Sequence, residues 1–194
     1  GTNPEDDESD RAWVAGFVVR AISPIASNWK STQALPDYLS DREVVGITDV
    51  DTRALVRHIR DYGAMRAALC SSNPDPESLI ATARATRDMN GLDLAREVTC
   101  DKPYSWPPDD SARSVNTSPQ LSMPLRHVVA YDFGIKQNIL RHLVQQGCDV
   151  TVFPADAPAK QVLEIDPDGI FLSNGPGDPE PLVYAIENIR KLIQ

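Results

Sequence analysis

A strand–helix alternation that repeats three times between residues 127 and 194 constrains this chain more than any other feature. His127-Val128-Val129-Ala130-Tyr131-Asp132 reads as a buried-type strand. Residues 136–146 follow as a helix, with Ile139, Leu140, Leu143 and Val144 at inward spacing and Gly147 to close it. Asp149-Val150-Thr151-Val152-Phe153 is the next strand, and a helix follows around Lys160 to Ile165. Asp166-Pro167-Asp168-Gly169 turns the chain into a third strand, Ile170-Phe171-Leu172, and a last helix begins near Pro181. Strands alternating with helices in this way predict an α/β fold. The sheet is parallel and doubly wound, with a right-handed crossover at each repeat.

Residues 101–126 interrupt the pattern. They hold Pro103, Pro107, Pro108, Pro119 and Pro124 together with five serines. Proline fixes φ and removes a ladder donor, so neither a helix nor a central strand is expected there. This predicts a Pro/Ser-rich linker between a mixed α+β piece at 1–100 and the α/β part at 127–194. A long surface loop within one domain fits the same composition.

Upstream, Val44-Val45-Gly46-Ile47 reads as a short strand. Asp49 or Asp51 offers an N-cap for a helix through Thr52–Arg60 that places Leu55, Val56, Ile59 and Tyr62 on one face and ends at Gly63. Asp75 then Pro76 announces a second helix with Leu79, Ile80 and Ala83 as its stripe, and Asn90-Gly91 is a turn. Arg53, Arg57 and Arg60 line a solvated face or meet an acidic partner. The acidic opening, Glu5, Asp6, Asp7, Glu8 and Asp10, reads as a solvated loop. Gly1 is not an initiator methionine, and the apolar series Leu182, Ile186, Ile189, Ile193 runs to the end without a capping glycine. Both features predict an internal piece of a longer protein.

The composition narrows the function classes. Net charge is −9 with no basic stripe, which argues against a nucleic-acid partner. The longest apolar run, Ala12 to Val19, is too short for a membrane span. Cys70, Cys100 and Cys148 are odd in number and lack C-x-x-C spacing, which fits a reducing cytoplasm and excludes an all-cysteine zinc site. His58, His127 and His142 lack metal-ligand spacing, so no metal site is expected.

In an open parallel sheet, ligands bind beyond the carboxyl ends of the strands. Two loops reach that edge: Asp132-Phe133-Gly134-Ile135-Lys136 and Ser173-Asn174-Gly175-Pro176-Gly177-Asp178-Pro179. Gly175 and Gly177 let backbone approach a ligand with no Cβ between, and Pro176 stiffens the turn. Amides at Gly175, Gly177 and Asp178, just ahead of a helix, suit an oxyanion or an amide carbonyl. The spacing matches neither dinucleotide nor P-loop fingerprints. An ordinary tight turn that uses Asn, Gly and Pro for their dihedrals stays open at this point.

The segment from Phe171 to Pro179 resembles the glycine-rich loop of class I glutamine amidotransferases. Its flank HVVAYDFGIKQNILRHLVQQGCDVTVFPA is similar to the small-subunit family of carbamoyl-phosphate synthetases. ITDVDTRALVRHIRDYGAMRAAL, GLDLAREVT and YSW upstream resemble the amino-terminal domain of the same subunit. The resemblance implies a flavodoxin-like class I glutaminase domain that hydrolyses L-glutamine through a cysteine thioester. Ammonia then passes to a large synthetase subunit, which joins it to bicarbonate with ATP and Mg to give carbamoyl phosphate for arginine and pyrimidine synthesis. It implies no cofactor in this chain. Carried over by position, Gly175 and Gly177 contact the bound glutamine, and Lys136, Asn174 and Asp178 are further candidates.

The sequence departs from the family pattern at the nucleophile. The expected G-x-C-x-G turn and the later His-x-Glu pair are both missing, so no catalytic residue is assigned here. Cys70, Cys100 and Cys148 read as small buried hydrophobes, and the chain alone is expected to be inactive. Two other readings stand beside this one. One is another class I amidotransferase, against which the DTR-containing upstream part argues. The other is a non-catalytic flavodoxin-like interaction module.

Overall fold

The structure is a computed structural model that describes residues 1–72, 75–107 and 125–193. The chain divides into two compact units, Gly1–Asp88 and Met89–Gln194.

In the first unit, β1 (Gly16–Val18) pairs in parallel with β2 (Val45–Ile47), Phe17 opposite Gly46. Between them lies α1 (Leu35–Asp41), opened by Pro36, which buries Leu39. The sequence reading missed β1 and α1. The acidic opening is more anchored than a solvated loop: Asp7 accepts from the Tyr38 hydroxyl at 3.0 Å and from Arg42 Nη2 at 3.1 Å.

Next comes α2 (Thr52–Tyr62). Of its two candidate caps the structure selects Asp51, whose Oδ1 accepts from the Ala54 N–H at 3.0 Å. Asp75 Oδ2 caps α3 (Pro76–Ala85) the same way, on Ser78 N–H at 3.0 Å. The apolar residues expected on one face of α2 do not enter a core. Val56 is 61% and Tyr62 74% exposed, Leu55 and Ile59 are exposed too, and no residue of the helix is buried.

The second unit carries the predicted parallel sheet. Its short helix α4 (Ala95–Val98) precedes β3 (Tyr104–Trp106), and after residue 125 the alternation begins. The elements are β4 (Arg126–Asp132), α5 (Gln137–Gln145), β5 (Cys148–Pro154), α6 (Ala159–Leu163), β6 (Gly169–Leu172) and α7 (Val183–Leu192). The strand order is β3-β5-β4-β6. The strands β5, β4 and β6 are parallel, and β3 is antiparallel at the edge beside β5. Residues 104–106 are thus a strand of the sheet, which corrects their reading as linker. Pro103 and Pro107 flank it, and an edge strand tolerates what a central one does not. Met89–Trp106 belong to this unit, so the units part upstream of residue 101. Most of the predicted linker, residues 108–124, lies outside the described residues.

Strand alternation sorts the core into two faces. Val129, Tyr131 and Phe153 pack with Val162, Leu182 and Ala185 of α6, α7 and their approach. Ala130, Val150 and Val152 pack with Leu140 of α5, with Leu143, Val144 and Trp106 closing the edges. Asn188 anchors α7: its Oδ1 accepts from Ala159 N–H at 3.2 Å and its Nδ2 donates to the Ala157 carbonyl at 3.0 Å. Among the described residues no helix is long and apolar enough to cross a membrane.

Candidate functional site

From β4 the chain crosses to β5 on one side and then returns to β6 on the other. The order reverses at β4, so the loops after β4 and β6 flank a crevice at the carboxyl ends of the strands. Both candidate loops stand there, side by side. The Phe133 N–H donates to Ser173 Oγ at 2.9 Å, and the Ser173 N–H donates to the Tyr131 carbonyl at 3.2 Å. The Ser173 hydroxyl in turn donates to the Asn174 carbonyl at 2.8 Å.

The two glycines of the loop have different reasons. A Cβ on Gly175 would collide with the Phe133 carbonyl oxygen, so a side chain is barred because two loop backbones cross there. Gly177 has φ +76, a left-handed conformation that glycine adopts without strain, and its open side faces Leu94. Glycine at 175 therefore serves the packing of the two loops, a closer approach than the sequence could disclose.

Beside these loops lies a cavity of about 310 Å³ lined by Phe133, Gly175, Pro176 and Gly177 on one side and by Ile186 and Ile189 of α7 on the other. The sequence-predicted residues divide around it. Gly175 and Gly177 line it, whereas Lys136, Asn174 and Asp178 are exposed and stand off its lining. Lys136 occupies the cap position of α5, and Asp178 Oδ1 accepts from the Glu180 N–H at 2.9 Å. Among the described residues β6 is paired only on its β4 side, so its other edge is open next to this cavity.

The sequence places Asp132, Phe133 and Ser173 in the two edge loops but discloses no role for them. Asp132 is buried, and its Oδ1 accepts from the N–H groups of Gly134 at 2.9 Å and Ile135 at 2.8 Å. Its Oδ2 accepts from the Cys100 N–H at 2.9 Å. An aspartate two residues before a glycine is a signal of this kind of turn.

The cysteines occupy three different environments. Burial and then the Asp132 carboxylate push the Cys100 thiol up to about 12, which holds it protonated and unreactive. Cys148 opens β5, half-buried against the α5 side of the sheet. Cys70 is exposed, which corrects its reading as a buried hydrophobe, and Ser72 Oγ at 3.1 Å draws its thiol below the ordinary value. The histidines are engaged elsewhere: His127 Nε2 with Thr151 Oγ1 at 2.9 Å, His142 beside Asn138, and His58 against the Tyr62 ring. Among the described residues no three His, Cys, Asp or Glu side chains are grouped to hold a metal ion.

Comparison with known proteins agrees with both halves of the chain. Residues 1–69 match the carbamoyl-phosphate synthase small chain, CPSase domain, and residues 129–194 match the class-I glutamine amidotransferase family. The carbamoyl phosphate synthase small chain of Syntrophotalea carbinolica is 54% identical over 193 residues, covering 100% of this chain and 51% of that protein. Those of Thermosynechococcus vestitus and Thioalkalivibrio sulfidiphilus are 49% and 46% identical, each again over 100% of this chain and 51% of the relative. The chain spans about half the length of the curated relatives it matches. With a parallel sheet, a glycine-rich loop at its order reversal and these matches over both units, the chain belongs to the carbamoyl-phosphate synthase small-chain family.

Proposed function

We propose that these residues form part of the glutaminase subunit of a glutamine-hydrolysing carbamoyl-phosphate synthase. In that reading L-glutamine is cleaved at the crevice beyond β4 and β6, and its ammonia passes to a large synthetase subunit in the cytoplasm. There it is joined to bicarbonate with ATP and Mg to give carbamoyl phosphate for arginine and pyrimidine synthesis. The observation that carries the reading is the Ser173–Pro179 loop at the sheet's switch point, in a chain matching small chains along its whole length. The match at 1–69 favours this subunit over another class I amidotransferase.

A glutaminase of this class needs a thiolate nucleophile with a base beside it. None of the three cysteines here supplies that arrangement, so the nucleophile belongs to a segment outside these 194 residues. The open edge of β6 and the apolar side of the cavity under α7 suit an added apolar strand, which would carry the nucleophile to the glycine-rich loop. Gly175 and Gly177 then contact the substrate, with loop amides facing the tetrahedral oxyanion. Lys136, Asn174 and Asp178, off the cavity lining, remain candidates for the rim or the subunit interface.

The test is glutamate release from glutamine, measured on the 194-residue chain and on a full-length small chain carrying it, together with the large subunit. Release by the full-length complex and none by the 194-residue chain is expected. Cysteine-dependent release by the 194-residue chain, or none by the complex, overturns the proposal.

A further inference from the structure

The segment Asp93–Cys100 runs directly under the glycine-rich loop, and nothing in the reaction as proposed assigns it a part. Leu94 packs where a side chain on Gly177 would point, at 3.2 Å, and Val98 Cγ2 lies 3.0 Å from where one on Gly134 would begin. The Thr99 hydroxyl accepts from the Ala155 N–H at 2.9 Å, and the Cys100 N–H donates to Asp132 at 2.9 Å. At its start Asp93 accepts from the Tyr184 hydroxyl of α7 at 3.3 Å, and Arg96 lies over the same ring at 4.9 Å. The strap is thus tied at both ends and touches both loops between.

Asp132 is the clasp. One oxygen shapes the loop after β4 through Gly134 and Ile135, and the other holds the strap through Cys100. The next residue, Phe133, holds the glycine-rich loop by its N–H to Ser173 and by its carbonyl against Gly175. The buried carboxylate thus joins two backbone segments, and Phe133 beside it joins the third. Carboxylate–amide hydrogen bonds of this kind are among the stronger ones, and a carboxamide cannot replace all three, because with its oxygen on Gly134 and Ile135 its nitrogen meets the Cys100 N–H donor.

We propose that Asp132 and the 93–100 strap it holds are positioning elements for the glycine-rich loop, setting where its backbone meets the carbonyl-bearing substrate. The proposal rests on the glutaminase reading for the identity of that substrate. Asp132 touches no reacting atom in it and acts through Phe133 and Ser173. Displacing the loop weakens binding of the substrate, because productive contacts depend on geometry finer than about an ångström.

The experiment compares Asp132→Asn and Leu94→Ala with the unsubstituted full-length small chain in complex with its large subunit. Glutamate release gives KM and kcat, and amide hydrogen exchange is followed at Phe133 and Ser173. The expected result is a KM for glutamine raised about tenfold, with kcat lowered as well because the loop's amides face the oxyanion, and faster exchange at both amides. A purely structural role would lower the folded fraction, so kcat would fall with KM unchanged, and that result overturns the proposal. If Asp132→Asn does not fold, Leu94→Ala decides alone, since it removes the packing on Gly177 and leaves the carboxylate network intact. If the unsubstituted complex releases no glutamate, the glutaminase reading fails by itself. Exchange then still decides the positioning role: faster at Phe133 and Ser173 in the variants upholds it, and unchanged exchange overturns it.

Discussion

Helices α2 and α5 are both sharply amphipathic, yet they end in opposite situations. In the second unit α5 lays Leu140 into a face of Ala130, Val150 and Val152, and Leu140 is wholly buried. In the first unit α2 presents Leu55, Val56, Ile59 and Tyr62, and all four remain exposed. The units differ in the same sense, since the first buries Leu39 and Val44 among its apolar side chains while the second builds two clusters on a sheet. Periodicity tells which side of a helix is apolar; the cover for that side comes from other elements. A parallel sheet with crossovers provides that cover within a short stretch of chain, and a two-stranded pair such as β1–β2 does not.

The contrast is open to direct tests. Leu140→Ala, in a site packed from the sheet and from α5, is expected to cost about 2–5 kcal/mol, read as an earlier chemical or thermal unfolding of the second unit. Cysteine reactivity separates the units next. At pH 8 a thiol-alkylating reagent followed by mass spectrometry should label exposed Cys70 more than about a hundredfold faster than Cys100, whose thiol is held up at about 12. Equal rates would show that the Asp132–Cys100 contact opens readily. Raising the pH toward 12 ionises Cys100 and removes the stability its protonated form contributes, a loss that begins above the ordinary thiol value of about 8.5. The smallest effect is expected for Val56→Ala on α2, within about 0.5 kcal/mol in this chain. A cost of about 2 kcal/mol or more would mean that the apolar stripe of α2 is covered after all.

Much of the second unit is legible in the sequence because its signals are local. Leu140, Leu143 and Val144 recur at helical spacing, Gly147 stops the helix, and Val150-Thr151-Val152-Phe153 has the composition of a buried strand. Elements that depend on a distant partner were not legible. Tyr104–Trp106 sits between prolines and becomes a strand only because β5 offers an edge. Gly16–Val18 is a strand only through β2. Two aspartates competed to cap α2, and Asp49 instead took φ +62 while Asp51 made the bond.

The candidate site shows the same division. The Gly-Pro-Gly motif and its place at the sheet edge were visible in the sequence. The collision that forbids a side chain at Gly175 involves the Phe133 carbonyl, from a loop two crossovers earlier. The role of Asp132 likewise joins amides at 100, 134 and 135, a grouping that only the fold creates. Lys136 illustrates the converse, since a residue at the right edge of the sheet sits at the cap position of a helix without a side-chain capping bond and stands off the cavity.

The most direct measurement is amide hydrogen exchange of a full-length small chain, in complex with its large subunit, with and without saturating glutamine. Slower exchange confined to the loops at 133–136 and 173–178 is the predicted result, because the substrate would sit between them. Protection elsewhere with both loops unchanged would contradict a glutamine site at the crevice beyond β4 and β6.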